Sequence, residues 1–175
     1  DDCASGTSAI GGTGAFPFDT TTATTDGPTQ DPGCVQFGQV GLPNDVWYTW
    51  EAPCDCASGV FRLETCGQTD LDTKVAVYDG CACPAENDPR LLDCNDDACA
   101  YQSRVDFAAA GGQQYLIQMG NSPFAADAGG PGTFTIECVV QGACCFSDGS
   151  CQELTQGECA AAGGSFAGED TDCAM

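Results

Sequence analysis

The chain has no histidine. That removes the imidazole base of Ser–His and Cys–His nucleophile systems, and it removes the nitrogen ligands of a mixed zinc site. Positive charge is almost as scarce. Four Lys and Arg stand against 26 Asp and Glu, for a formal net charge of −22. Nucleic acid is excluded as a partner, because binding it needs a basic face. Anionic membrane surfaces are excluded on the same ground, and no apolar run is present to support membrane insertion. No CxxC pair occurs. No N-x-S/T sequon occurs either, since Asn121-Ser122-Pro123 carries Pro at its third position.

What is abundant is cysteine, with fifteen in 175 residues. A content above about 8% in a small chain marks a disulfide scaffold. The close spacings are CC (Cys144, Cys145) and CxC (Cys54/Cys56 and Cys81/Cys83), which are not zinc knuckles. Covalent staples are therefore preferred over metal thiolates and catalytic thiols. At least twelve cysteines are expected in disulfides. Cys3, Cys34, Cys66, Cys94, Cys99, Cys138, Cys144, Cys145, Cys151, Cys159 and Cys173 are the named candidates, with Cys3–Cys34 the first-choice pair. Cys144 and Cys145 should reach in different directions, because adjacent cysteines close a strained ring. The odd count leaves at least one cysteine free or joined to another molecule. The chain starts at Asp1 and reads as a mature secreted protein whose leader has been removed, which implies an extracellular or cell-surface location.

Short alternating stretches dominate residues 1 to 138. "NDVWYTW" (44 to 50) has large residues on both faces and reads as a central strand. "GVFRLETC" (59 to 66), "TKVAVYDG" (73 to 80), "SRVDFAA" (103 to 109), "QQYLIQMG" (113 to 120) and "GTFTIECVV" (132 to 140) follow, separated by Gly, Pro, Asn and Asp clusters. This pattern predicts an all-β antiparallel sandwich. Residues 1 to 43 read as an extended, Gly- and Thr-rich leading arm. Residues 139 to 175 read as a separate small cysteine-rich unit, with a hairpin turn at "SDGS" and one short helix capped by Thr155 and ended by Gly163. That unit has too few apolar residues for a core, so disulfides must hold it.

"DDCASGTSAI", "TATTDGP", "NDVWYTW", "TCGQTDLDTKVAVYDGC", "CNDDAC", "GGQQYLIQMG" and "GPGTFTIEC" fall in that order. Together they resemble secreted bacterial modules similar to the pre-peptidase C-terminal family, over about residues 1 to 138. The resemblance implies a jelly-roll-like β-sandwich with an accessory role. Some such domains bind calcium, and some bind collagen or other polymers. The tail "GACC…DG-C…C…C" resembles a cysteine-rich motif of secreted planctomycete proteins.

The best chemical cluster is Asn95, Asp96 and Asp97 of "CNDD" with Asp72 of "LDTK". Calcium takes several hard oxygen ligands, and these residues offer them. The alternative is an Asx-turn in which the acids cap backbone N–H groups. Cys94 and Cys99 bracket the loop. "TTTATT" (Thr20 to Thr25) is a candidate for O-glycosylation or an ordinary Thr-rich strand. Trp47, Tyr48, Trp50, Phe16, Phe18 and Phe124 are candidates for sugar stacking, with Tyr48 and Trp50 preferred as core. Phe16 and Phe18 form an apolar pair in a polar arm. They either open the sandwich as its first strand or dock on a neighbour.

No pair of carboxylates stands out as a catalytic pair, so no enzyme activity is expected. The preferred function is a structural subunit that assembles with itself into a surface layer or fibre, its leading arm lying on a neighbour's sheet edge. The alternative is a binding module for a carbohydrate or matrix polymer.

Overall fold

The computed structural model describes residues 1–125, 129–169 and 171–173. Nine strands build the main body: β1 (Ser8–Gly11), β2 (Gly14–Asp19), β3 (Val46–Glu51), β4 (Val60–Glu64), β5 (Thr73–Asp79), β6 (Leu91–Asn95), β7 (Arg104–Ala108), β8 (Gln114–Asn121) and β9 (Pro131–Cys138). One sheet has the order β1-β3-β8-β5-β6 and the other β2-β9-β4-β7. From β2 to β9 the chain changes sheet at every connection except β5 to β6. Two antiparallel four-stranded sheets woven this way make a jelly roll. β1 is an addition, a parallel fifth strand beside β3.

The sheets close on one apolar layer. The first contributes Tyr48, Trp50, Val75, Val77, Tyr115, Ile117 and Met119. The second contributes Phe18, Phe61, Leu63, Val105, Phe107, Phe134 and Ile136. Trp50 sits at the centre, edge-on to Phe61 at 4.9 Å and to Phe107 at 5.7 Å. Its indole N–H donates to the Gly12 carbonyl at 2.8 Å. Each such side chain contributes about 1.5–3 kcal/mol by leaving water.

The five-stranded sheet is buried on its outer face as well. Residues 20 to 45 run across it, and Cys34 and Leu42 pack on Trp47, Ala76, Tyr78 and Leu116. This explains the large residues on both sides of β3. It also explains β5, whose first six residues are all buried. The crossing segment is fixed by polar anchors. Thr20 Oγ1 donates to Asn121 Oδ1 at 3.1 Å, and Asp45 accepts from the Asp26 backbone and from Gln118. A Cβ at Gly27 would run into the Gln118 amide and push it from its place beside Asp45.

The leading segment is part of the sandwich. β2 pairs with β9 along its whole length, Phe18 is buried in the core, and Phe16 packs 5.5 Å from Phe134. Of the two readings of Phe16 and Phe18, the chain's own strand is the one realised. Neither ring is available for a neighbour's pocket. Thr20 is fully buried, which removes it from the Thr20–Thr25 glycosylation candidates, while Thr21, Thr22, Thr24 and Thr25 are exposed.

Twelve cysteines are paired: Cys3–Cys83, Cys34–Cys94, Cys56–Cys138, Cys66–Cys99, Cys144–Cys159 and Cys151–Cys173. The Cys3–Cys34 pairing is overturned. Cys3 is tied to the segment after β5, while Cys34 is carried across the outer face to β6. Cys145 is free and exposed, as are Cys54 and Cys81, so its expected disulfide is also overturned. Alternation along the strand turns Cys144 inward to Cys159 and Cys145 to the other face, where its cross-strand neighbour Cys151 is bonded to Cys173 instead. A chain stapled this way belongs to an oxidising compartment, in line with an extracellular or cell-surface location.

Past residue 138, β10 (Gly142–Cys145), β11 (Cys151–Leu154) and β12 (Ser165–Phe166) form a three-stranded sheet in the order β11-β10-β12. The helix α1 (Gln156–Ala161) is capped by Thr155, which exchanges hydrogen bonds with Glu158 in a capping box. Gly163 follows its end with φ of 75°.

Candidate metal centre

β5 and β6 form an antiparallel hairpin in which Val75 faces Asn95. The residue before β5 and the residues after β6 therefore emerge at the same end of the sheet. These are Asp72 on one side and Asp96 and Asp97 on the other. One carboxylate oxygen from each lies within 4.8 Å of the others. Two oxygens on opposite sides of one calcium ion, each at about 2.3–2.6 Å, are separated by a similar distance.

β8 runs on the other side of β5, with Thr73 opposite Asn121. Ser122 therefore reaches the same corner. Its backbone N–H donates to the Asp72 carbonyl at 2.9 Å, and its hydroxyl donates to Asp96 Oδ2 at 3.3 Å. The Asp96 backbone is pinned in turn, since the Ser103 hydroxyl lies 2.8 Å from its carbonyl oxygen. Two disulfides bracket the loop from different directions, Cys34–Cys94 before it and Cys66–Cys99 after it.

Asp96 is 0% exposed, Asp72 is half-buried and Asp97 is open to solvent. Asp96 Oδ1 and Asp72 Oδ1 are buried without a hydrogen-bond partner among the described residues. Buried carboxylate oxygens are normally satisfied, because leaving one bare costs about 1–3 kcal/mol or more. Burial pushes Asp96 up to about 6, with Asp97 and Asp72 adding to the rise and Lys74 opposing it. Asp72 is raised by burial and by Asp97. Lys74 is fully buried and donates to the Gln39 carbonyl at 3.2 Å. One ammonium against three carboxylates leaves the corner negative when all are ionised.

The Asn95 carboxamide oxygen accepts from the Arg104 backbone at 3.1 Å, holding β7 against the end of β6. Ser122 was missed in the sequence. It reaches the carboxylates only through the β5–β8 pairing, and no local motif marks it.

Exposed rings gather at the same end. Phe37 and Phe124 stand 6.4 Å apart, 70% and 63% exposed. The Phe124 backbone N–H donates to the Ser122 hydroxyl. By contrast, Trp47, Tyr48, Trp50 and Phe18 are buried and Phe16 is half-buried, so among the six sugar-stacking candidates only Phe124 is fully exposed.

No family model matches the chain, and no curated protein matches it. Two solved structures are similar at low identity. A periplasmic inhibitor of g-type lysozyme from Aeromonas hydrophila is 14% identical, over 74% of this chain and 92% of its own, with a TM-score of 0.37. A surface-associated copper-binding protein from Methylomicrobium album BG8, important in copper acquisition, is 8% identical, over 76% of this chain and 98% of its own, with a TM-score of 0.41.

Proposed function

We propose that this chain is a non-catalytic extracellular structural module whose loop end is fastened by calcium, and which joins copies of itself. The observation that carries the calcium reading is that Asp72 and Asp96 each keep a buried, unpartnered Oδ1 in a cluster that brings one carboxylate oxygen from each, and one from Asp97, within 4.8 Å of one another. A divalent cation neutralises the excess charge there and gives both oxygens a partner. Asp97, being exposed, leaves the ion a way in. The resemblance to pre-peptidase C-terminal modules fits this reading.

Self-association is supported by what the disulfides leave over. Twelve cysteines are internally paired, yet Cys54, Cys81 and Cys145 are exposed thiols in a chain built for an oxidising compartment. Cys54 and Cys81 follow β3 and β5, at the opposite end of the sandwich from the carboxylates. A contact between unlike ends is heterologous and propagates into open filaments when its rotation does not close. Since the leading arm is folded into the sandwich, the joint is assigned to these ends rather than to Phe16 and Phe18.

The test is sedimentation of the oxidised protein with and without calcium, and again after reduction of accessible thiols. Association that needs calcium or exposed thiols is the expected result. A monomer at high concentration under every condition would overturn the assembly reading. The exposed Phe37–Phe124 pair favours a second reading, a binding module for a carbohydrate or matrix polymer. Tight binding of a glycan by that monomer, lost in Phe124→Ala, would select it.

A further inference from the structure

Cys145 lies directly opposite Cys151 in the β10–β11 hairpin. Directly paired residues point to the same face of a sheet. The next pair toward the turn, Phe146 and Ser150, is joined by a backbone hydrogen bond at 3.0 Å. Antiparallel pairs alternate, so Cys145 and Cys151 form a non-hydrogen-bonded pair, the kind whose Cα atoms approach to about 4.5 Å. That falls inside the range of about 4.4–6.8 Å that a disulfide spans. Cys151 is bonded not to Cys145 but to Cys173. All three cysteines line one surface hollow, and Cys145 is an exposed free thiol.

We propose that Cys145, Cys151 and Cys173 form a thiol–disulfide exchange site. The Cys145 thiolate attacks Cys151 Sγ. The Cys145–Cys151 bond forms as the Cys151–Cys173 bond breaks, and the electron pair leaves on Cys173, which takes up a proton. One thiol and one disulfide are present before and after, so no external oxidant or reductant is required. Exchange proceeds through the thiolate and quickens with pH. Both isomers keep β11 fastened, to β10 in one and to the segment after β12 in the other. The accessible thiol is shared between the sheet face and residue 173. Covalent modification, by an alkylating reagent or by a partner's disulfide, can therefore enter at either position. This inference is independent of the calcium and assembly readings.

The native oxidised chain is incubated at mildly alkaline pH with iodoacetamide, quenched in acid and digested with pepsin, which limits later exchange. Mass spectrometry should find label at both Cys145 and Cys173, with a Cys145–Cys151 linked peptide beside the Cys151–Cys173 one. In Cys145→Ser the label at Cys173 should disappear. A second variant tests geometry alone. Folded in a glutathione redox buffer whose oxidised glutathione is the two-electron oxidant, Cys173→Ser should leave only Cys54 and Cys81 as free thiols, because Cys145 closes onto Cys151. Among Cys145, Cys151 and Cys173, label confined to Cys145 in the native chain overturns the proposal, as does label at Cys173 that persists in Cys145→Ser. So does a Cys173→Ser chain in which Cys145 and Cys151 both remain free.

Discussion

Asp96 and Ser122 meet from two strand ends, the serine hydroxyl donating to Asp96 Oδ2 at 3.3 Å while Oδ1 of the same carboxylate has no partner among the described residues. Half of this buried carboxylate is satisfied by the fold and half is not. The unsatisfied half makes its protonation and any cation interdependent.

Asp96 should make the metal-free chain less stable as pH rises. Its folded value is raised to about 6, above its ordinary 3.8. Between those values the folded state holds a proton that the unfolded state has lost, so stability falls with rising pH across that window. Asp45, Asp72 and Asp93 are raised too, so the contribution of Asp96 is isolated by comparison with Asp96→Asn. In chelator, melting curves should show the native chain losing ground to the variant from about pH 4 to about pH 6. Calcium should reverse the order above that window. A difference that does not change with pH would show that Asp96 does not titrate there.

Removing the Cys66–Cys99 bridge should cost about 2–5 kcal/mol in urea unfolding. It should also weaken calcium binding in a calorimetric titration, because the bridge anchors the loop that carries Asp96 and Asp97. The double variant Cys66→Ala, Cys99→Ala avoids leaving a single reactive thiol. Unchanged calcium affinity would separate the bridge from the site.

Trp50→Ala should be among the most damaging core changes, at about 3–5 kcal/mol by equilibrium unfolding. The ring fills the space between Phe61, Phe107 and Tyr115, and its N–H satisfies Gly12 at the turn after β1. Trp50→Phe should cost less, yet it should speed exchange of amide hydrogens in β1. A loss below 1 kcal/mol for the alanine variant would contradict the central placement of this ring.

Thr155→Ala should lower local stability in the small C-terminal unit by about 1 kcal/mol. The effect should appear as faster hydrogen exchange in α1 and should leave the sandwich strands unchanged. Spread of the effect into β3 or β8 would mean that the two units unfold as one.

Local chemistry is legible where it is repetitive. The six stretches read as strands correspond to β3, β4, β5, β7, β8 and β9, because alternation or a dense β-branched and aromatic run fixes strand character residue by residue. Thr155 and Gly163 announce α1 for a similar reason, since capping acts within one turn of chain. β6 was missed. "LLDCN" is short and carries Asp and Asn, and it is a strand only because β5 lies beside it. β1 was missed too, as nothing in "SAIG" foretells a parallel partner 40 residues later. "TTTATTDGPT" was expected to be extended chain, and its start is instead held by side-chain bonds to β8 and its surroundings.

The cysteine pairing shows most clearly where local reading ends. Composition alone established that the chain is stapled, all-β and built for an oxidising setting, because those properties follow from residue counts and short-range pattern. Which cysteine meets which depends on two Cα atoms arriving within about 4.4–6.8 Å, and the path of the chain decides that. Cys34 lies nearer to Cys3 in sequence, yet it is carried over the outer face to Cys94, and Cys3 is left for Cys83. The carboxylate corner divides in the same way. The acids of "LDTK" and "CNDD" were visible as candidates, but only the β5–β6 register brings Asp72 to Asp96. Only the β5–β8 register adds Ser122, and only the approach of β7 gives the Asn95 carboxamide its Arg104 partner, because hydrogen bonds between distant strands are set by tertiary register and leave no trace in the local sequence.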